Sequence, residues 1–178
     1  SSNKVSLVKE HSMSFGDNKK NIEVVEFLDP ECESCALFHP IMRKVYKEHY
    51  SDIELVVRYL ANHKNSKFAV KILEASRQQN KYEEVLSVIF EKQPIWAQHN
   101  NEKPELLWTY LEQIEGLNID KLKEDMKNPK IDEILDIDAK DASALNVRGT
   151  PTIFVNSKKL VRLSEKDLFD LVESEIYK

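Results

Sequence analysis

The sequence predicts an α/β fold: a β-sheet flanked by helices and interrupted by a long helical insertion. Three observations carry this. Two apolar, β-branched runs, "IEVVEFL" (Ile22 to Leu28) and "IELVVRY" (Ile53 to Tyr59), bracket a stretch of helical period. No convincing strand follows between Ser66 and about Leu145. Strand signals then return in "TPTIFVN" (Thr150 to Asn156) and "KLVRL" (Lys159 to Leu163).

The elements follow in order. Asp29-Pro30 ends the first run. Phe38, Ile41, Met42 and Val45, with His49 closing the stripe, predict a helix running from the cysteines to about Tyr50. Pro40 falls inside it and is expected to kink it. Strand, helix and strand then form a βαβ unit, so the two strands are expected to be parallel. Phe68, Ile72 and Ala75 mark one helical face, and Val85, Leu86, Ile89 and Phe90 a second. Leu106, Leu107, Tyr110, Leu111 and Ile114 mark a third, with Gly116 as its C-cap. Leu122 and Met126 predict a short helix before Pro129, and Ile131 to Leu145 a longer one. The returning strands read as a hairpin across Asn156-Ser157-Lys158. Ser164 caps the last helix, with Asp167 at the capping-box position and Leu163 and Leu168 as a hydrophobic staple.

Composition bounds the function. Hydrophobic residues make up 41% and charged residues 32% of 178, the balance of a soluble globular chain. With 3 glycines and 6 prolines, a turn-rich all-β protein is disfavoured. A net charge of −5 without a basic run excludes a nucleic-acid footprint. No apolar run is long enough to span a bilayer. The start, "SSNKVSLVKEHSM", has no initiator methionine and no visible signal peptide; it reads as trimmed, so a removed export signal is an expectation.

The chemistry centres on "EFLDPECESCALFHP", which holds the only two cysteines, Cys32 and Cys35. Three apart at a helix start, they lie close enough to close a short disulfide. Unpaired backbone N–H groups and the positive end of the helix dipole favour a thiolate there. Cys32 is expected as the exposed, attacking sulfur and Cys35 as the deeper, resolving one. No cofactor is needed, because the electrons pass through the sulfurs. A structural disulfide closing so short a loop stabilises little. Zinc needs four ligands, and no second cysteine pair exists. Asp29, Glu31 and Glu33 surround Cys32. A charge about 8 Å away opposes the thiolate by about 0.5 kcal/mol, against about 0.3–1 kcal/mol in favour from the helix terminus. The thiol is thus expected to be acidic, with the effect blunted; the alternative is that these carboxylates only solvate a surface loop.

Glu26 faces the core of an otherwise apolar strand. A buried carboxylate there has a reason to exist as the proton acceptor for Cys35. Thr150-Pro151 opens the later strand, where a cis bond would leave the backbone of residue 150 free for an extended peptide. His39 is expected on the helix surface, His49 as a satisfied partner at the core edge, and His63 in a turn. No histidine sits at ligand spacing to another, so no metal is expected. Trp96 and Trp108 read as core or groove-lining residues.

"VVEFLDPECESC", Pro40, the helical insertion, "RGTPTIFVN" and a closing helix together resemble the thioredoxin superfamily, and within it the DsbA-like thiol-disulfide oxidoreductases. The resemblance spans about Ile22 to Lys178. It implies a thioredoxin fold, a mixed sheet of four or five strands, with residues 1–64 and 147–178 building the fold around a helical insertion at 65–146. It implies that Cys32 is the nucleophile, Cys35 its buried partner and Glu26 the acid beneath them. Pro151 matches the cis-proline facing the cysteines and Thr150 the residue touching substrate backbone, with Glu33 and Ser34 also on the substrate side. Family members of this type commonly carry Pro-His between the cysteines where this chain has Glu-Ser, which bears on oxidising strength.

The expected function is disulfide exchange with cysteine-bearing client proteins in an extracytoplasmic compartment, the periplasm or cell-envelope exterior, with oxidation favoured and a membrane-bound redox partner. A peptide-binding chaperone using the aromatic stretch Trp96 to Tyr110, or a copper(I)-handling module using Cys32, Cys35 and a histidine, are the alternatives.

Overall fold

The β-branched runs form the centre of a five-stranded sheet in a computed structural model that describes residues 5–178. Strand β1 is Met13–Phe15 and β2 is Ile22–Leu28. Helix α1, Glu33–His49, crosses to β3, Ile53–Tyr59. Strands β2 and β3 are parallel, in register from Ile22↔Ile53 to Leu28↔Tyr59. Nearly every residue in both is buried, as expected for a sheet covered on both faces. Strand β4, Thr152–Val155, runs antiparallel to β2, and β5, Lys158–Lys159, flanks it. The order is β1-β3-β2-β4-β5, a mixed sheet.

Between β3 and β4 the chain is helical: α2 (Ser66–Ser76), α3 (Tyr82–Glu91), α4 (Gln93–Trp96), α5 (Leu107–Leu111), α6 (Ile119–Asp125) and α7 (Lys130–Ala144). Helix α8, Glu165–Ile176, closes the fold. Apolar faces of these helices bury Ile72, Leu73, Val85, Ile89, Trp96 and Leu107. They pack in one cluster with Leu28, Val57 and Tyr59 of the sheet and with Cys35 itself. A polar latch adds to this. The fully buried Arg58 donates from Nε to Asp138 Oδ1 at 2.7 Å and also bonds Asp141, both on α7. Asp138 in turn accepts from the Tyr59 N–H at 3.0 Å.

Several expectations need correction. Strand β1 was not anticipated; three residues carry too short a pattern to read. The second hairpin strand is Lys158–Lys159 rather than Lys159 to Leu163, across a two-residue turn in which Asn156 has φ 53°. Val161 and Leu163 are exposed, so their alternation has no core to face. Strand β4 starts at Thr152, not Thr150. Helix α5 stops at Leu111, and Gly116, with φ 81°, lies in the following turn rather than capping the helix. Ser164 does cap α8, accepting from the Asp167 N–H at 3.0 Å, but the Asp167 carboxylate turns to Arg162 instead of closing the capping box.

Candidate active site

Helix α1 begins where Asp29-Pro30 turns the chain out of β2. Cys32 is its N-cap residue, in extended conformation with no side-chain cap, so its sulfur lies among unpaired backbone N–H groups. Cys35, one turn on, is fully buried, while Cys32 is partly exposed; both are free thiols. The Cys32 thiol is lowered to about 5. The hydrogen bond from Cys35 is the main cause, and contacts with Thr150 and the N–H groups of Cys35 and Ser34 add to it against the cost of burial. The Cys35 thiol is pushed far above its ordinary range, first because it is the donor to Cys32, then by burial and the charge of Glu26. The two sulfurs are therefore set apart by their environments, one favoured as the thiolate and the other as the thiol.

Glu26 is buried beneath the pair. Burial, and then the charge of Cys32, raise its carboxyl to about 8. The Cys32 Sγ also lies 3.5 Å from the Thr150 carbonyl oxygen. The Thr150–Pro151 peptide is cis and Pro151 is buried. The fold thus gathers Cys32, Cys35, Glu26, Thr150 and Pro151 at one place. Glu33 and Ser34 are exposed beside it, with Glu33 accepting from His99 at 2.6 Å.

The acid around Cys32 does not solvate a surface loop, apart from Glu33. Asp29 is fully buried and accepts four hydrogen bonds: from the N–H groups of Glu31 at 3.0 Å and Asn62 at 2.9 Å, His63 Nδ1 at 2.7 Å and Ser66 Oγ at 2.5 Å. Glu31 accepts from the Asn65 N–H at 2.6 Å. These carboxylates staple the loop before α2 to the loop before α1. Asp29 also turns its own N–H toward the Cys35 Sγ at 3.5 Å. From α4, the Gln93 side chain donates to the carbonyls of Pro30 and Cys32, both at 3.0 Å.

Sequence reasoning missed the roles of Asp29, His63 and Gln93, because their partners are distant in the chain. His39 was expected on the surface; its ring instead packs 5.0 Å from that of Phe90, and its Nε2 is buried without a partner. Burial, then Arg43, lowers its basicity to about 4. Among the described residues, the one group of three side chains arranged like metal ligands contains neither cysteine.

The thioredoxin family pattern matches residues 8–174. This chain belongs to the thioredoxin family. A Rickettsia conorii protein, named as a candidate protein-disulfide oxidoreductase, is 31% identical over 153 residues, covering 84% of this chain and 54% of its own length. This family member thus spans about half the length of that curated relative. BdbD from Bacillus subtilis superposes with a TM-score of 0.82 at 24% identity, covering 95% of each chain. Wolbachia pipientis alpha-DsbA1 superposes with a TM-score of 0.81 at 19% identity, covering 96% of this chain and 92% of its own. At these identities the two structures establish the fold, a thioredoxin-like mixed sheet flanked by helices.

Proposed function

We propose that this thioredoxin-family chain exchanges disulfides with cysteine-bearing client proteins, acting mainly as an oxidant outside the cytoplasm. The observation that carries the reading is the unequal pair: Cys32 half-buried and acidic at the N-cap of α1, Cys35 sealed behind it.

In the oxidising direction the chain starts with a Cys32–Cys35 disulfide. A client thiolate attacks the Cys32 Sγ. The client–Cys32 bond forms, the Cys32–Cys35 bond breaks, and Cys35 leaves as a thiolate that takes a proton from Glu26. A second client thiolate attacks the client sulfur and releases Cys32 as a thiolate. The client loses two electrons and the cysteine pair gains them; a disulfide-bearing partner protein, membrane-bound in this reading, takes them on. The low Cys32 pKa makes it a good leaving group in that last step and stabilises the reduced state, which favours oxidation of the client. Thr150 and Pro151 meet the client backbone at the sulfur, with Glu33 and Ser34 at the rim. Residues 1–64 and 147–178 serve as the redox fold and 65–146 as its helical cover.

The test uses reduced RNase as oxidation substrate. Cys32→Ser should abolish turnover, and Cys35→Ser, mixed with a disulfide-bearing client that its Cys32 thiolate can attack, should trap a Cys32–client mixed disulfide. Full activity in Cys32→Ser refutes the proposal.

A further inference from the structure

The far end of α1 carries a second arrangement that disulfide exchange does not use. Helix α1 has 17 residues, so its last residue, His49, lies about 25 Å along the axis from the Cys32 N-cap. The His49 side chain is only 7% exposed, and its Nε2 is buried without a hydrogen bond. An unmet buried nitrogen of this kind is costly, so its neighbours bear on what it is for. Phe169 of α8 packs beside the ring, with centroids 6.0 Å apart and the planes tilted by 56°. Glu173, one turn further along α8, brings Oε2 to 3.3 Å from Nε2. That contact has the length of an ion pair but fails the hydrogen-bond geometry. The neighbouring Glu48 adds a second carboxylate, and one ligand atom from each of the three residues lies within 4.8 Å of the others.

We propose that Glu48, His49 and Glu173 form a Zn²⁺ site joining the end of α1 to α8. The donor set, one imidazole and two carboxylates, suits a borderline divalent ion. The spacing fits as well. Two ligands 3.3 Å apart, each about 2.0–2.1 Å from a metal, subtend roughly 104–111°, close to tetrahedral. The ion then sits off the His49–Glu173 line, on the side of Glu48. Glu48 is exposed, so its carboxylate can swing in to complete the set, and water supplies the fourth ligand. Zinc replaces the missing hydrogen bond at Nε2 and adds a tie between two helices already joined by packing and by the Lys44–Glu165 ion pair, so binding stabilises the folded chain.

The test titrates Zn²⁺ into the oxidised protein, whose closed Cys32–Cys35 disulfide keeps the thiols from competing. Calorimetry should show one equivalent bound in the micromolar range, with a rise in Tm. Co²⁺ should give the visible absorption of a tetrahedral N/O site. Glu173→Gln and Glu48→Gln should each weaken binding at least tenfold and leave RNase oxidation unchanged. His49→Gln should abolish binding; should it fail to fold, the two glutamate variants decide. Absence of saturable binding, or equal affinity in Glu173→Gln, overturns the site and leaves His49 and Glu173 as a plain ion pair.

Discussion

The imidazole of His63 rests on the carboxylate of Asp29, Nδ1 to Oδ2 at 2.7 Å, and the N–H of that same Asp29 points at the Sγ of Cys35 from 3.5 Å. The bond to Asp29 is the main cause that raises the His63 pKa above its ordinary value. A histidine whose pKa is raised on folding contributes stability that is fully present below the unfolded value, about 6.5, and lost as pH rises through the folded one. His63 is 47% exposed at the side chain, so solvent screening holds the contribution to about 1 kcal/mol or less. Thermal melts from pH 5 to 9 should show a decline in the wild type that is shallower in His63→Gln. Parallel profiles would remove this pair from the pH dependence.

Glu26 gives a larger effect of the same sign. Its carboxyl is raised from 4.5 to about 8 by burial and then by Cys32. The unfolded chain releases this proton first, so folded stability falls as pH rises from about 4.5 to 8, by up to about 1.4 kcal/mol per pH unit. In reduced protein, Glu26→Gln should therefore gain on the wild type by a few kcal/mol between pH 5 and 8 in urea denaturation, while disulfide exchange slows. A stability difference that stays constant with pH would contradict the placement of Glu26.

Arg58 is the buried cation between Asp138 and Asp141. Arg58→Met leaves two carboxylates buried without it, at a cost of about 3–5 kcal/mol. Denaturant midpoints measure this directly. A loss under about 1 kcal/mol, the worth of a surface pair, would mean that the latch between β3 and α7 carries no weight.

How much of this was legible in the sequence depended on locality. Strands β2 and β3, helix α1 and the cysteine pair were readable because each signal lies within one run: Val24-Val25, Val56-Val57, and Cys32 with Cys35. Asp29 was readable as a turn residue but not as a hub, because its partners Asn62, His63 and Ser66 follow another strand. The acid near Cys32 was therefore expected to oppose the thiolate, whereas Asp29 and Glu31 are bound to donors across the loop. Gln93 had no local signal either, since a glutamine in a helix carries no pattern until its two carbonyl partners are seen. Strand β1 escaped because Met13–Phe15 is too short to alternate, and His39 because it lies off the apolar stripe of Phe38, Met42 and Val45.

Disulfide exchange by this pair requires the outer sulfur to be ionised while the inner one is not. The direct measurement is ultraviolet titration of thiolate absorbance in the reduced protein, wild type against Cys32→Ser. One thiol should ionise near pH 5 in the wild type, and that transition should vanish in Cys32→Ser, with Cys35 silent up to alkaline pH. A first ionisation near the ordinary cysteine value of about 8.5, or one that survives in Cys32→Ser, would contradict it.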